Sequence, residues 1–245
     1  MPGRLDASRD VFGTGMRRAA WAIRDTLWPR RCAGCGLRGP WLCDGCLERE
    51  PGWARPWCLR CGVPDLIGCR CSEVAPTIDA ARSVGAYHGW IETSVRQLKY
   101  GQEAARAAHL GPLMAQAIAD LGSVDLLAPV PLHRKRFNER GYNQSQLLAD
   151  AIAHETGIIV RSDVFARTVN TPHQTRLTAA ERRRNLAGAF TITAPGAVLG
   201  RRVLIVDDVL TTSSTAAEFA ATLLRGGATW IGVVTVGRAL HLRTP

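Results

Sequence analysis

Several features are missing or scarce in this 245-residue sequence. No apolar run approaches the roughly eighteen residues that a membrane span needs. Met1-Pro2-Gly3-Arg4-Leu5-Asp6 opens without the hydrophobic core of a signal peptide. A cytoplasmic protein with no membrane span is therefore expected. Acidic side chains are the minority, 21 Asp and Glu against 31 Lys and Arg, for a net charge of +10. Such an excess implies polyanionic company: phosphorylated ligands, nucleic acid or an anionic surface. Apolar residues make up 46% of the chain, enough for one packed core plus a small extra module. Cysteine is absent everywhere outside residues 32–71.

Within those limits all eight cysteines fall in pairs: Cys32-x2-Cys35-x7-Cys43-x2-Cys46, then Cys58-x2-Cys61-x7-Cys69-x-Cys71. In a chain that is not exported, paired cysteines favour metal over disulfides. Two pairs complete tetrahedral S4 coordination, so two structural Zn²⁺ ions are expected in a duplicated zinc ribbon at 32–73. Sequential filling is the first reading and interleaved pairing the alternative; the shorter Cys69-x-Cys71 spacing sets the second site apart. Small ribbons of this kind staple segments that have little core of their own. Trp41, Trp53 and Trp57 are read as packing for this module rather than as platforms for bases.

The most informative stretch comes late. Val203-Leu204-Ile205-Val206 reads as a strand buried on both faces, the pattern of a parallel sheet. Asp207 and Asp208 follow at its carboxyl end, where open α/β sheets place their ligands. Thr211, Thr212, Ser213, Ser214 and Thr215 then lead into a helix. Thr215 and Glu218 have the spacing of a capping box, and Gly226-Gly227 suit the stop. An acidic pair, a hydroxyl-rich loop and a helix N-terminus together suit a sugar phosphate. Fewer than forty residues remain after the pair, which excludes a receiver domain of roughly 110–120 residues.

Other elements are legible around this block. Residues 1–31 form a tail with a short basic helix from Met16 to Leu27. Strands are expected at Arg82–Tyr87, Leu126–Pro131, Ile158–Val160, Ala189–Thr193 and Ile231–Val236, and helices near Ile91–Tyr100, Ala104–Leu121 and Gln146–His154. His133, Arg134, Lys135 and Arg136 follow a strand and precede a helix, a position where arginine forks could hold a pyrophosphate. A solvated basic turn is the plainer reading. Residues 167–185 form a long polar excursion broken by Pro172, which suits a binding loop or lid. His173 within it is a lone loop histidine.

The 203–215 block resembles the phosphoribosyl pyrophosphate (PRPP) motif of type I phosphoribosyltransferases, with Ser213 standing where glycine is usual. With the cysteine pairs, Tyr87-x-Gly89, Leu98-Lys99-Tyr100, Pro129-Val130-Pro131-Leu132, Arg140-Gly141-Tyr142-Asn143-Gln144, Gln174-x2-Leu177 and Arg184-Asn185, the sequence resembles the ComF family of competence-type proteins. The resemblance implies an α/β fold: a type I phosphoribosyltransferase-like parallel sheet flanked by helices over 77–245, preceded by the ribbon. It implies Asp207 and Asp208 on the ribose side and in catalysis, 211–215 on the 5′-phosphate, Lys99 with His133–Arg136 on pyrophosphate, and Gln174, Arg184 and Asn185 in a flexible loop. Mg²⁺ would accompany PRPP. The expected function is a glycosyltransferase that moves phosphoribose to an acceptor. The alternative is a non-catalytic PRPP-site protein that binds single-stranded DNA during DNA uptake. Nine residues follow Val236, too few for a C-terminal hood, so an acceptor pocket would borrow from the ribbon or residues 82–101.

Overall fold

The apolar runs at 203–206 and 231–236 become the two central strands of one parallel sheet. In the computed structural model, which describes residues 30–168, 188–194, 196–211 and 213–240, the chain divides into two compact units, Met1–Arg49 and Glu50–Pro245. The basic helix expected at 16–27, His173, Gln174, Arg184, Asn185 and Thr212 lie outside the described residues.

The first unit turns on a cysteine knuckle. Cys32 N–H donates to the Leu37 carbonyl and Gly36 N–H to the Cys32 carbonyl, each at 2.9 Å. Gly36 closes the turn at φ +74°, a conformation that favours glycine. Helix α1 (Asp44–Arg49) follows and buries Cys46. The second unit begins with the same device. Cys58 N–H donates to the Val63 carbonyl (3.0 Å) and Gly62 N–H to the Cys58 carbonyl (2.8 Å), with Gly62 at φ +69°. The repeat in sequence is thus a repeat in backbone geometry, and its second copy is built into the same unit as the sheet. Cys61, Val63 and Val74 belong to the main hydrophobic core, with Cys58 and Cys71 packed against it.

The sheet contains β1 (Ala80–Ala86), β2 (Leu126–Pro129), β5 (Arg202–Leu210) and β6 (Trp230–Arg238), all parallel, in the order β1-β6-β5-β2. β3 (Phe165–Arg167) and β4 (Phe190–Ile192) form a separate antiparallel pair. The strand expected at 158–160 is reduced to a parallel bridge between Val160 and Leu127. Helices are α2 (Gly89–Tyr100), α3 (Arg106–Ala117), α4 (Arg134–Arg140), α5 (Gln144–Thr156) and α6 (Ser214–Arg225). Among the described residues no helix is long and apolar enough to cross a membrane.

Strand side chains alternate between faces, so one strand serves two layers. Val203 and Ile205 join a cluster with Phe219 of α6, Phe165 and Phe190. Phe219 meets Phe165 edge-on at 5.3 Å and Phe190 at 5.0 Å. Leu204 and Val206, fully buried, serve the opposite face, where α3 and α5 pack on each other and on the sheet.

Two expectations about local structure change. α6 begins at Ser214 with Ser213 as its N-cap, not Thr215, and the Glu218 carboxylate accepts from Gly188 N–H (2.9 Å) instead of closing a capping box. The basic stretch at 134–140 is a helix rather than a loop. It lacks an apolar stripe for a sequence pattern to register, and His133 caps it by accepting from Lys135 N–H at 3.2 Å.

Candidate functional site

β5 carries its two carboxylates to the carboxyl edge of the sheet. Asp207 lies partly buried and Asp208 is 3% exposed. Ser145, in the first turn of α5, donates its hydroxyl to Asp207 Oδ1 (3.0 Å), which also accepts the Asp208 N–H (2.9 Å). The Lys99 ammonium, from the last turn of α2, lies 2.7 Å from Asp208 Oδ1. Among the described residues, Asp208 Oδ2 is buried with no hydrogen-bond partner. Burial, then the neighbouring Asp208 carboxylate, pushes the Asp207 carboxyl up to about 7. Burial works against the Lys99 ammonium, but the Asp208 carboxylate outweighs it and raises its pKa.

The loop after β5 turns through Ser213, a non-glycine residue at φ 58° and 5% exposed. The missing glycine is thus visible as strain: a side chain held in left-handed backbone, at a cost of about 1 kcal/mol. The Ser213 hydroxyl donates to the Glu73 carbonyl at 2.7 Å. Ser213 supplies no side-chain cap to α6, so the N–H groups of the first turn receive none from it. Ser214 is buried and Thr211 exposed.

A cavity of about 440 Å³ opens beside α4. Arg134, Phe137, Asn143, Gln146 and Arg167 are among its lining residues. Of the four basic-stretch residues, Arg134 and Lys135 are exposed, while His133 and Arg136 are half-buried. The His133 ring nitrogen Nδ1 is committed to the helix cap. Lys99 is drawn to the carboxylates. Arg167 was not singled out by sequence. Its pKa is lowered by burial first, then by the nearby Arg136 guanidinium, with Asp207 acting the other way. Ser145 was also missed, because nothing near it marks a polar residue as buried at an acidic pair.

Both cysteine clusters are sequential. Cys32, Cys35, Cys43 and Cys46 form one, and Cys58, Cys61, Cys69 and Cys71 the other, with ligand atoms in each within 4.8 Å of one another. A Zn–S bond of about 2.3 Å gives a tetrahedron with edges of about 3.8 Å. The observed Sγ–Sγ separations of 3.6 and 3.9 Å in the first cluster, and 3.5 and 3.8 Å in the second, fit that figure. Burial opposes ionisation of Cys32 and Cys58, yet backbone N–H donors around each bring both down to about 6. A hydrogen bond with Cys46 pushes Cys43 up to about 12, and burial does the same to Cys71. The clusters could hold zinc, with protons leaving as it binds.

Trp57 is structural. Its indole N–H donates to Asp120 Oδ2 (2.9 Å), and Arg82, buried in β1, grips the same carboxylate with two hydrogen bonds of 3.0 and 2.9 Å.

No family model matches the chain. Competence protein F of Haemophilus influenzae is 29% identical over 209 residues, covering 81% of this chain and 90% of that protein. DNA utilization protein YhgH of Salmonella typhi is 37% identical over 193 residues, covering 75% of this chain and 84% of that protein. The chain belongs to the ComF family. The ComF motifs fall where the site is: the 203–215 block spans the end of β5 and the entry to α6, and Arg140–Gln144 joins α4 to α5. Leu98-Lys99-Tyr100 ends α2, and Tyr142 binds it there by donating its hydroxyl to the Leu98 carbonyl (2.6 Å). The ComF motif residues Gln174, Arg184 and Asn185 belong to the stretch not described. Among solved structures, the glutamine PRPP amidotransferase of B. subtilis is 20% identical, covers 58% of this chain and 30% of that chain, and has a TM-score of 0.40.

Proposed function

We propose that this protein binds PRPP with Mg²⁺ at the end of β5 and transfers its phosphoribosyl group to an acceptor. The observation that carries the reading is the acidic pair itself. Asp208 keeps one buried carboxylate oxygen without a donor, beside an Asp207 whose charge is suppressed. A buried acceptor left open in this way suits a ligand hydroxyl, because an unmade hydrogen bond in the interior costs about 1–3 kcal/mol. The ribose 2- and 3-hydroxyls are donors of that kind. The first turn of α6, which takes no side-chain cap from Ser213, and the Thr211 to Thr215 loop then take the 5′-phosphate. Arg134 and Arg167, across the cavity beside α4, take the pyrophosphate.

The donor set fits Mg²⁺ in a limited way. Hard oxygen ligands are present, and this ion is usually held through one or two carboxylates together with substrate phosphates. Lys99 already sits on one Asp208 oxygen, so Asp207 is the carboxylate that would help hold the ion, together with the ligand's phosphates. Bound there, Mg²⁺ would neutralise charge on the departing pyrophosphate. The protein's own part is positioning and electrostatics: the carboxylates orient the ribose, and the arginines receive the leaving group. No protein nucleophile is required.

A second reading has its own support. The chain carries a net charge of +10, and relatives are named for competence and DNA utilization. In this reading the PRPP site senses or orders the protein, while basic surface holds single-stranded DNA. Pyrophosphate release from PRPP, measured with a panel of nucleobases and with single-stranded DNA, separates the two. Turnover with any acceptor supports the enzyme. PRPP binding with DNA binding and no turnover supports the second reading, and no PRPP binding overturns both.

A further inference from the structure

We propose that the second cysteine cluster is a positioning element for the loop that enters α6, coupled to it through Ser213 and Glu73. Metal at Cys58, Cys61, Cys69 and Cys71 would then fix the loop's geometry. The consequence for phosphate rests on the PRPP reading above; the coupling itself does not.

The link is a single hydrogen bond. Ser213 holds left-handed backbone, which glycine adopts without cost, and its hydroxyl reaches the Glu73 carbonyl at 2.7 Å. Glycine could make the same turn but not the same bond. A side chain that strains the loop while tying it elsewhere is the pattern of a tether. The other end of the tether belongs to the metal cluster. Glu73 closes the 3-10 turn Cys71–Glu73, two residues from a cluster thiol. Its carboxylate lies 3.6 Å from the Arg70 guanidinium and 3.6 Å from that of Arg238.

The Cys58–Gly62 half of the cluster in turn is fixed closely to the sheet. Arg238, at the end of β6 and 1% exposed, donates to the carbonyls of Cys61 and Arg70, one in each cysteine pair of the cluster. Arg82 of β1 donates to the Leu59 carbonyl (2.9 Å), and Ala81 N–H to the Arg60 carbonyl (2.7 Å). Gly62 sits so close to β1 that a Cβ there would lie 2.2 Å from the Ala81 carbonyl oxygen. Segment 70–73, which includes the ligand Cys71, is held to the sheet by the longer contacts of Arg238, 3.4 Å to the Arg70 carbonyl and 3.6 Å to the Glu73 carboxylate, so it is the part that would respond when four thiolates lose their common centre. Glu73 moves with it, and Ser213 is bound to Glu73.

The test uses the zinc-loaded protein and Ser213→Gly, which keeps the turn and removes the tether. Zinc release to the chromogenic chelator 4-(2-pyridylazo)resorcinol is followed over time, and the phase altered in Cys69→Ser is assigned to the second cluster. Without ligand, Ser213→Gly is expected to release that zinc at least about three-fold faster than the wild type, with the first phase unchanged. Hydrogen exchange of the 213–216 amides should rise on zinc loss in the wild type and be high from the start in Ser213→Gly. Because coupling is reciprocal, saturating ribose 5-phosphate should slow the second phase in the wild type and not in Ser213→Gly. Equal release rates in the two ligand-free proteins, with exchange at 213–216 indifferent to zinc, would overturn the coupling. A difference between the ligand-free proteins that ribose 5-phosphate leaves untouched upholds the coupling and counts against the phosphate reading alone.

Discussion

Lys99 Nζ lies 2.7 Å from Asp208 Oδ1, while the second oxygen of the same carboxylate is buried with nothing donating to it. A pair of carboxylates at an open strand end would ordinarily be solvated. The structure has instead one half-satisfied ion pair and one carboxyl, Asp207, whose charge burial suppresses. The two aspartates therefore have opposite expected effects on stability although both are proposed to serve one ligand.

Asp207→Asn together with Asp208→Asn should abolish Mg²⁺-dependent PRPP binding in a calorimeter. Taken singly, Asp208→Asn strips a largely buried Lys99 of its partner and should cost roughly 3 kcal/mol, the low end for a broken buried pair. Asp207→Asn should leave the melting temperature equal or higher. Unchanged PRPP affinity in the double variant would move the site elsewhere.

A pH dependence follows from the same residue. The folded protein holds a proton on Asp207 up to about pH 7, whereas the ordinary value is 3.8. Between those limits the folded state binds more protons, so its contribution to stability falls as pH rises and is lost above about 7. The melting temperature of Asp207→Asn relative to wild type should therefore grow from pH 5 to pH 8. A difference that stays flat across that range would contradict the raised pKa.

Two zinc ions per chain are expected by elemental analysis, and a result below one equivalent would remove the metal account. The clusters should also differ in what they support. The second packs into the main core, so Cys58→Ser should lower the melting temperature of the sheet-bearing unit by about 5 °C or more. Cys32→Ser should leave that transition in place.

Single-stranded DNA binding, if it is carried by dispersed basic side chains, should be governed by counterion release. With three to five phosphates neutralised, affinity should fall roughly ten- to hundred-fold between 50 and 200 mM salt. Filter binding or fluorescence anisotropy measures this directly. Affinity indifferent to salt would sink the electrostatic account.

The central strands, the helix after Ser213 and both cysteine clusters were legible because apolar runs and repeated spacings are local signals. Ser213 was legible as a strained substitution, and the positive φ bears that out. Its bond to Glu73, 140 residues away, left no trace in spacing. Arg82, Arg106 and Arg238 were invisible for a different reason. Charged residues read as surface, and these three are buried only because Asp120, Glu103 and backbone carbonyls meet them. Lys99 was legible as a motif residue, but its contact with Asp208 depends on α2 ending over β5. The 134–140 helix escaped notice because Phe137 is the only large apolar side chain in it.

The order β1-β6-β5-β2 has a consequence for how the chain comes to be folded during synthesis. Among the described residues β1 is the first strand of the sheet to be made, yet its partner there is β6, the last. Ser83 and Thr235, whose hydroxyls meet at 2.7 Å in the interior, are 152 residues apart. On the ribosome, β1 and the cysteine segment docked on it must wait until β6 has been made before the sheet can close. Contacts of such long range slow folding and leave an apolar strand uncovered meanwhile. A metal ion that closes the second cysteine knuckle early would hold the waiting strand's neighbour in shape until β6 arrives.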